Sequence, residues 1–485
     1  MLDTLGKIFE RIIYVRLENH LEQEHTGLSK NQYGFRKHMS TIDAIKKVTN
    51  VASSAIAGKR WMYGTKEYCA VVTFDVKNAF NSAYWPHIMS ALEHKRTPCY
   101  LLRVVSKYLS NRLLFYDTDE GPKEYRVTGG VPQGSVLGPL LWNVLYDGVL
   151  RLPLPMGVQI IGYADDIAVT VVGKELSQIQ RLCEDAALKI KNWLTANKLQ
   201  LAGQKTEAVL ITSRKKVENI TLNIDGYNIP TKQSLKYLGV VIDTRLSYKT
   251  HIEKACEKAA RVTAAISRMM ANIGGPSQNK RALLAKASQS VLLYAAPIWG
   301  PAMQINTYDK KARSVTRLTA IRVIRAFRTV SHEASGVIAG MIPPDIMAME
   351  IKRASDKSRD IGRRLTTEER NEERLKSINE WQSRWDMTEK GRWTYKLIGN
   401  VKTWVERKHG ETDFYLTQFL TGHGCFREYL FKYGHDDGTD CSFCGEGRES
   451  VQHIFFTCPK YEVERADSYK RARNSRKYCA PHDTM

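Results

Sequence analysis

No run of about eighteen apolar residues occurs anywhere in the chain, so no segment offers to cross a bilayer as a helix. Residues 1–10 also lack the charge-then-apolar layout of a secretory leader. Cysteine is sparse and odd in number, nine in 485 residues. That excludes the dense paired framework of a small secreted scaffold and fits a reducing compartment. Internal repeats and low-complexity segments are missing as well, while the length allows about three domains and a sizeable core. Acid is in short supply: 51 Asp and Glu against 73 Lys and Arg leave a net charge of +22. Residues 251–400 alone carry +12 of it. A field concentrated in that way suits a polyphosphate partner, with affinity that falls as salt rises.

The scarce acids are placed where they are expensive. In the run VQIIGYADDIAVTVV, beta-formers flank Tyr163-Ala164-Asp165-Asp166, which predicts a hairpin with two adjacent carboxylates at its tip. Paired acids beside apolar strands are costly to desolvate unless a cation sits with them. Residues 69–81 repeat the pattern, an apolar strand delivering Asp75 at its end. If that strand lies beside the hairpin, Asp75, Asp165 and Asp166 converge, and hard oxygen ligands of this kind suit magnesium and two-metal phosphoryl transfer. Any one of them alone reads as a solvated turn, and only together do they point to a site.

The Gly/Pro-rich stretch Gly129-Gly130-Val131-Pro132-Gln133-Gly134-Ser135-Val136-Leu137-Gly138-Pro139 falls between the two acid segments, and Gln32-Tyr33-Gly34-Phe35-Arg36 precedes them. Residues 199–207 with Lys205, then Tyr237-Leu238-Gly239-Val240, follow. In this order and spacing the blocks resemble the palm motifs of reverse transcriptases, and in detail those of non-LTR retrotransposons of the LINE type, notably the arthropod elements that insert into ribosomal genes. The resemblance implies an α+β right-hand polymerase in which Asp75 and Asp165 bridge two magnesium ions and Asp166 supports them. It also implies substrate contacts from Phe80, Gln133, Gly134, Lys205 and Arg36: Phe80 blocks a ribose 2′-hydroxyl, Gln133 touches the incoming nucleotide and Lys205 neutralises or protonates pyrophosphate. The residues alone leave Phe80 open to a plain core role and Lys205 to a solvated surface role. Partners implied are an RNA template, a DNA primer or target and deoxynucleoside triphosphates, with no membrane, and the implied site of action is the nucleus.

Near the carboxy terminus Cys441, Cys444, His453 and Cys458 have the spacing to close a tetrahedron around one structural zinc. Asp436, Asp437 and Asp440 precede this knuckle while Lys470, Arg471, Arg473, Arg476 and Lys477 follow it, so the tail is the better grip for nucleic acid. Between the two sites, helical periodicity covers 251–270 and 280–294, parted by Gly274-Gly275-Pro276. Arg313, Arg317, Arg322, Arg325 and Arg328 predict charge along a helix, either a solvated face or a backbone-binding one. Residues 352–380 read as an exposed helix or connector. Trp381, Trp385 and Trp393 suit either a core or base stacking.

The expected organisation is a fingers remnant and palm over 1–243, a helical thumb over 244–335, a basic helical connector over 336–430, and a zinc knuckle with basic tail over 431–485. Leu5, Ile8, Phe9, Ile12, Ile13 and Leu17 keep helical spacing from the start, with Asp3 or Thr4 as a cap. Members of the resembled family carry a triphosphate-gripping fingers segment just before this helix and an endonuclease further upstream, so an amino-terminally truncated chain is expected. Two functions follow. One is RNA-templated DNA synthesis from a nicked chromosomal end. The other is an inactive element product that only binds RNA or DNA.

Overall fold

The computed structural model describes residues 4–23, 25–57 and 66–478, with side chains to residue 471. Of the expected tail, Arg473, Arg476 and Lys477 lie outside the described side chains, as does the Asp3 cap. The chain divides into two compact units, 1–251 and 252–485.

The first unit is built on a short antiparallel sheet. Its strands are β1 (Tyr68–Phe74), the separate two-stranded hairpin β2 (Arg112–Thr118) and β3 (Gly121–Val127), then β4 (Val158–Tyr163), β5 (Asp166–Gly173) and β6 (Glu207–Ile211). Two further pairs follow, β7 (Thr221–Ile224) with β8 (Tyr227–Pro230), and β9 (Ser234–Tyr237) with β10 (Val240–Asp243). The main sheet runs β4-β5-β1-β6. Apolar residues run unbroken along β1 from Cys69 to Val72 because both faces of the sheet are covered. Ala70, Val72 and Phe74 join Ile167, Val169 and Val171 in one buried cluster with Ile179, Cys183, Ala186 and Ile190 of the helix Leu176–Ala196. The alternate residues Cys69, Val71 and Ala168 turn to the opposite face, where the helix Thr41–Ile56 crosses β1, β4 and β5. That helix starts on a capping box between Ser40 and Asp43.

The second unit is helical. Ala285, Ile321, Ile324, Val337, Ile338, Ile346, Ile378, Trp381, Trp385, Val401 and Leu420 are all buried, and all but Ile378 belong to one cluster. The expected boundary at 335/336 falls inside that cluster. Residues 352–380 belong to the helices Pro344–Asp360 and Thr367–Met387. These pack together through Arg353–Glu373 (2.9 Å) and Arg374–Glu350 (2.9 Å), so part of their dense mixed charge pairs with itself, while residues 359–364 and 370–372 are exposed. Trp381 and Trp385 are core residues: Trp385 is 2% exposed and its Nε1 donates to the Ile398 carbonyl at 2.8 Å. Trp393 donates to the Phe419 carbonyl at 2.7 Å. The arginine series is also redirected. Only Arg313, Arg317 and Arg322 lie on the helix Asn306–Ile324, and Arg325 caps its end in the left-handed region. Arg317 donates to the Val330 carbonyl and Arg325 to that of Pro276, so both guanidiniums brace loops as well as carrying charge.

Candidate active site

Register decides which acids meet. In the β1–β5 pair Phe74 lies opposite Ile167, so the next residue on each strand, Asp75 and Asp166, stands at the same end of the sheet. In the β4–β5 pair Tyr163 lies opposite Asp166, leaving Ala164 and Asp165 as a two-residue turn. Ala164 has φ of +57°, the sense that primed hairpin turns require.

Asp75 and Asp166 line one cleft of about 220 Å³ with Thr73, Lys205, Glu207, Lys236 and Tyr237. Asp166 keeps a solvent-facing edge. Even so, burial on its other sides, and then the charges of Asp165 and Asp75, raise its carboxyl from 3.8 to about 6. Burial and Asp75 raise Asp165 as well. Two acids that resist ionisation at the end of apolar strands fit a site completed by a hard cation. Lys205 supplies part of that charge: its Nζ donates to Asp75 Oδ2 at 2.7 Å, which raises the ammonium above its ordinary value. Backbone bonds bring it there, since Ala202 N donates to the Asp75 carbonyl and Lys77 N to that of Gln200. Tyr237 is 3% exposed with no partner for its hydroxyl. Burial, and then Asp166, hold that phenol far above its usual value.

Phe80 is half-buried, stacked on Trp142 at 5.3 Å and edge-on to Phe35 at 5.9 Å. The column continues from Trp142 to Tyr146 at 4.8 Å, and the Tyr146 hydroxyl donates to the Asp165 carbonyl at 3.0 Å. Gln133 and Gly134 lie exposed on the loop before the helix Gly138–Tyr146. Val131 N of that loop donates to the Phe80 carbonyl at 2.8 Å, so loop and ring are fixed together. Arg36 is turned to its own loop, donating to the carbonyls of Ser29 (2.6 Å) and Gln32 (3.4 Å). Sequence reasoning missed two supports. One is the Trp142–Tyr146 column. The other is Gln32, 1% exposed, whose side chain bonds the backbone of Ala164. Gln32 stands in a block the sequence already singled out, but neither support's role is readable locally, because both act across long sequence separations.

Among the described residues one group of ligand-bearing side chains has its donor atoms within 4.8 Å of one another: Cys441, Cys444, His453 and Cys458. Cys441 Sγ is 3.9 Å from Cys458 Sγ, and Cys444 Sγ is 3.3 Å from His453 Nε2. The other ring nitrogen, Nδ1, meets Thr457 Oγ1 at 3.2 Å, the outer bond that fixes a ligating imidazole. Gly445 and Gly447, with φ of +70° and +73°, turn the chain between the cysteines and β-bridged Arg448. Three thiols and an imidazole fit zinc.

A family model described as reverse transcriptase (RNA-dependent DNA polymerase) matches residues 1–242. A 115 kDa protein in the type-1 retrotransposable element R1DM of Drosophila melanogaster is 26% identical over 95% of this chain and 45% of its own length. A Pol polyprotein from the type-1 retrotransposable element R1 of Bradysia coprophila is 25% identical over 95% of this chain and 46% of its own. The RNA-directed DNA polymerase from the Drosophila melanogaster mobile element jockey is 28% identical over 67% of this chain and 34% of its own. The chain thus spans a little under half the length of the first two of these relatives. Among solved structures, telomerase from Candida tropicalis with a fragment of telomeric RNA covers 72% of this chain and 55% of its own, at 9% identity and a TM-score of 0.37.

Proposed function

Residues 1–242 are a reverse transcriptase domain, in a chain homologous over most of its length to proteins of arthropod type-1 non-LTR retrotransposons, and from that premise we propose that the protein is an RNA-directed DNA polymerase. It extends a DNA primer on an RNA template, using a nicked chromosomal end in the nucleus as primer. The observation that carries this reading is the β1–β5 register, which sets Asp75 beside Asp166 in a cleft shared with Lys205, with Asp165 next to Asp166 in the hairpin turn.

Asp75, Asp165 and Asp166 hold two magnesium ions, which when bound supply an activated 3′-hydroxyl and charge neutralisation on the triphosphate. The chain's own residues do the rest. Lys205, released from Asp75, presents its ammonium to the departing pyrophosphate. Phe80, wedged between Phe35 and Trp142, closes the space that a ribose 2′-hydroxyl needs. The exposed loop carrying Gln133 and Gly134 receives the incoming nucleotide, and Arg36 shapes the loop in front of it. In layout the first unit supplies a palm with part of the fingers, and the first helices of the second supply a thumb. Cys441, Cys444, His453 and Cys458 hold one structural zinc.

The test is addition of one deoxynucleotide to a DNA primer annealed to an RNA template, against ribonucleotide on the same duplex. Templated deoxynucleotide addition that requires magnesium supports the reading. Binding of the duplex with no addition, or equal use of both sugars, overturns it.

A further inference from the structure

We infer that Gln32 is a positioning residue of this site, holding the strained Ala164 turn from outside so that Asp165 and Asp166 keep their direction; this rests on the function proposed above. Gln32 is 1% exposed, and its three side-chain bonds go to two residues. Its Oε1 accepts from Ala164 N at 3.1 Å and from Gly34 N at 2.9 Å, while its Nε2 donates to the Ala164 carbonyl at 3.2 Å. A single amide therefore meets both backbone polar groups of the residue that sets the turn. The flanking backbone is laced in the same way: Tyr33 N donates to the Gly162 carbonyl (2.9 Å) and Gly162 N to that of Asn31 (2.8 Å).

The turn needs such help. A two-residue hairpin turn with φ above zero at its first central position favours glycine, because a β-carbon there crowds the neighbouring carbonyl. Alanine occupies that position here, with φ of +57°. Gly34 shows how closely the bracing segment is seated, since a β-carbon on it would lie 2.1 Å from Ala164 N. Asn143 Nδ2 holds the Gly34 carbonyl from the other side at 2.9 Å. Without Gln32 the two Ala164 groups are buried and unpaired, and the turn relaxes toward conformations that alanine prefers, carrying both carboxylates with it. The geometry of the acids is thus set by a segment some 130 residues upstream.

The experiment uses the full chain as wild type, Gln32→Met, Ala164→Gly and the double variant. Two readouts are taken: hydrogen exchange in peptides covering 158–173, and Mn²⁺ binding followed by EPR with Mn²⁺ alone as the probe. Gln32→Met should keep its circular dichroism, exchange faster at the turn and lose about tenfold in Mn²⁺ affinity, as loss of an outer-shell support commonly does. Glycine reaches positive φ unaided, so adding Ala164→Gly should restore most of that affinity. Should Gln32→Met unfold, Gln32→Glu, which keeps both accepted bonds, carries the same comparison. Unchanged exchange and affinity in the Gln32 variant, or no recovery in the double variant, overturns the inference. A wild type that binds no Mn²⁺ counts against the proposed function instead, and the exchange comparison then decides the clamp by itself.

Discussion

Phe80→Val separates a sugar gate from plain packing. The ring is anchored on one side by Trp142 at 5.3 Å and by the edge of Phe35 at 5.9 Å, and it remains only half-buried. Truncation forfeits two aromatic contacts and part of a buried ring, a loss of about 2 kcal/mol. In a unit of this size that lowers Tm by roughly 4–8 °C and leaves the fold standing. The effect on selectivity is larger. Valine opens space beside the sugar, and steric exclusion of one small group is worth roughly 10–200-fold in relative efficiency. The assay is the ratio of kcat/KM for a matched ribo- and deoxynucleotide at one template position, with thermal melts run in parallel. A variant that melts slightly earlier and accepts ribonucleotides supports the gate. One that melts earlier with an unchanged sugar ratio shows that Phe80 only packs, and the claim of a DNA product then loses its structural basis.

Zinc content and acid titration supply two more predictions. Cys444→Ser should lower zinc from about one equivalent per chain toward zero and expose the 441–458 segment to protease, because ligation and folding are coupled there; full zinc in this variant excludes the ligand set. Burial, and then Asp345, raise the Asp309 carboxyl from 3.8 to about 6. The folded state therefore holds that proton more tightly than the unfolded chain, and this contribution is complete below about pH 4 and lost as pH rises through 6. Asp309→Asn should gain about 1–2 kcal/mol at pH 7.5, after the 2.6 Å pair with Arg313 is given up, and about a third of that at pH 4.5. Equal differences at the two pH values would contradict that cause.

How much of this was legible depends on how far each feature reaches along the chain. The acid hairpin could be read because apolar runs and a two-residue turn are local, and the helices Lys249–Ser267 and Gln278–Leu292 follow their periodicity to within a few residues. The Cys/His set could be read from spacing alone. Strand order could not. That β1 enters between β5 and β6 is a tertiary choice which the sequence motivates only as a condition. The exposed hairpin β2–β3 gave no signal, since Phe115 (69% exposed) and Leu114 (54%) look like core residues in a one-dimensional pattern. Residues 352–380 were legible as helical and charged, but their pairing was not. Their charges pair across two helices and hide the thin apolar line of Ile346, Ile378, Trp381 and Trp385. Arginines that bond loop carbonyls, such as Arg317 and Arg325, are likewise indistinguishable in sequence from arginines awaiting phosphate.

Single-nucleotide addition by Asp75→Asn and Asp165→Asn chains on an RNA template, measured beside duplex affinity and circular dichroism, tests the central claim most directly. Removing one carboxylate from a metal-assisted phosphoryl-transfer site withdraws several kcal/mol of transition-state stabilisation, so the rate should fall by on the order of a thousandfold or more, with affinity and fold retained. Wild-type rates in both variants would show that these acids do not form the active site.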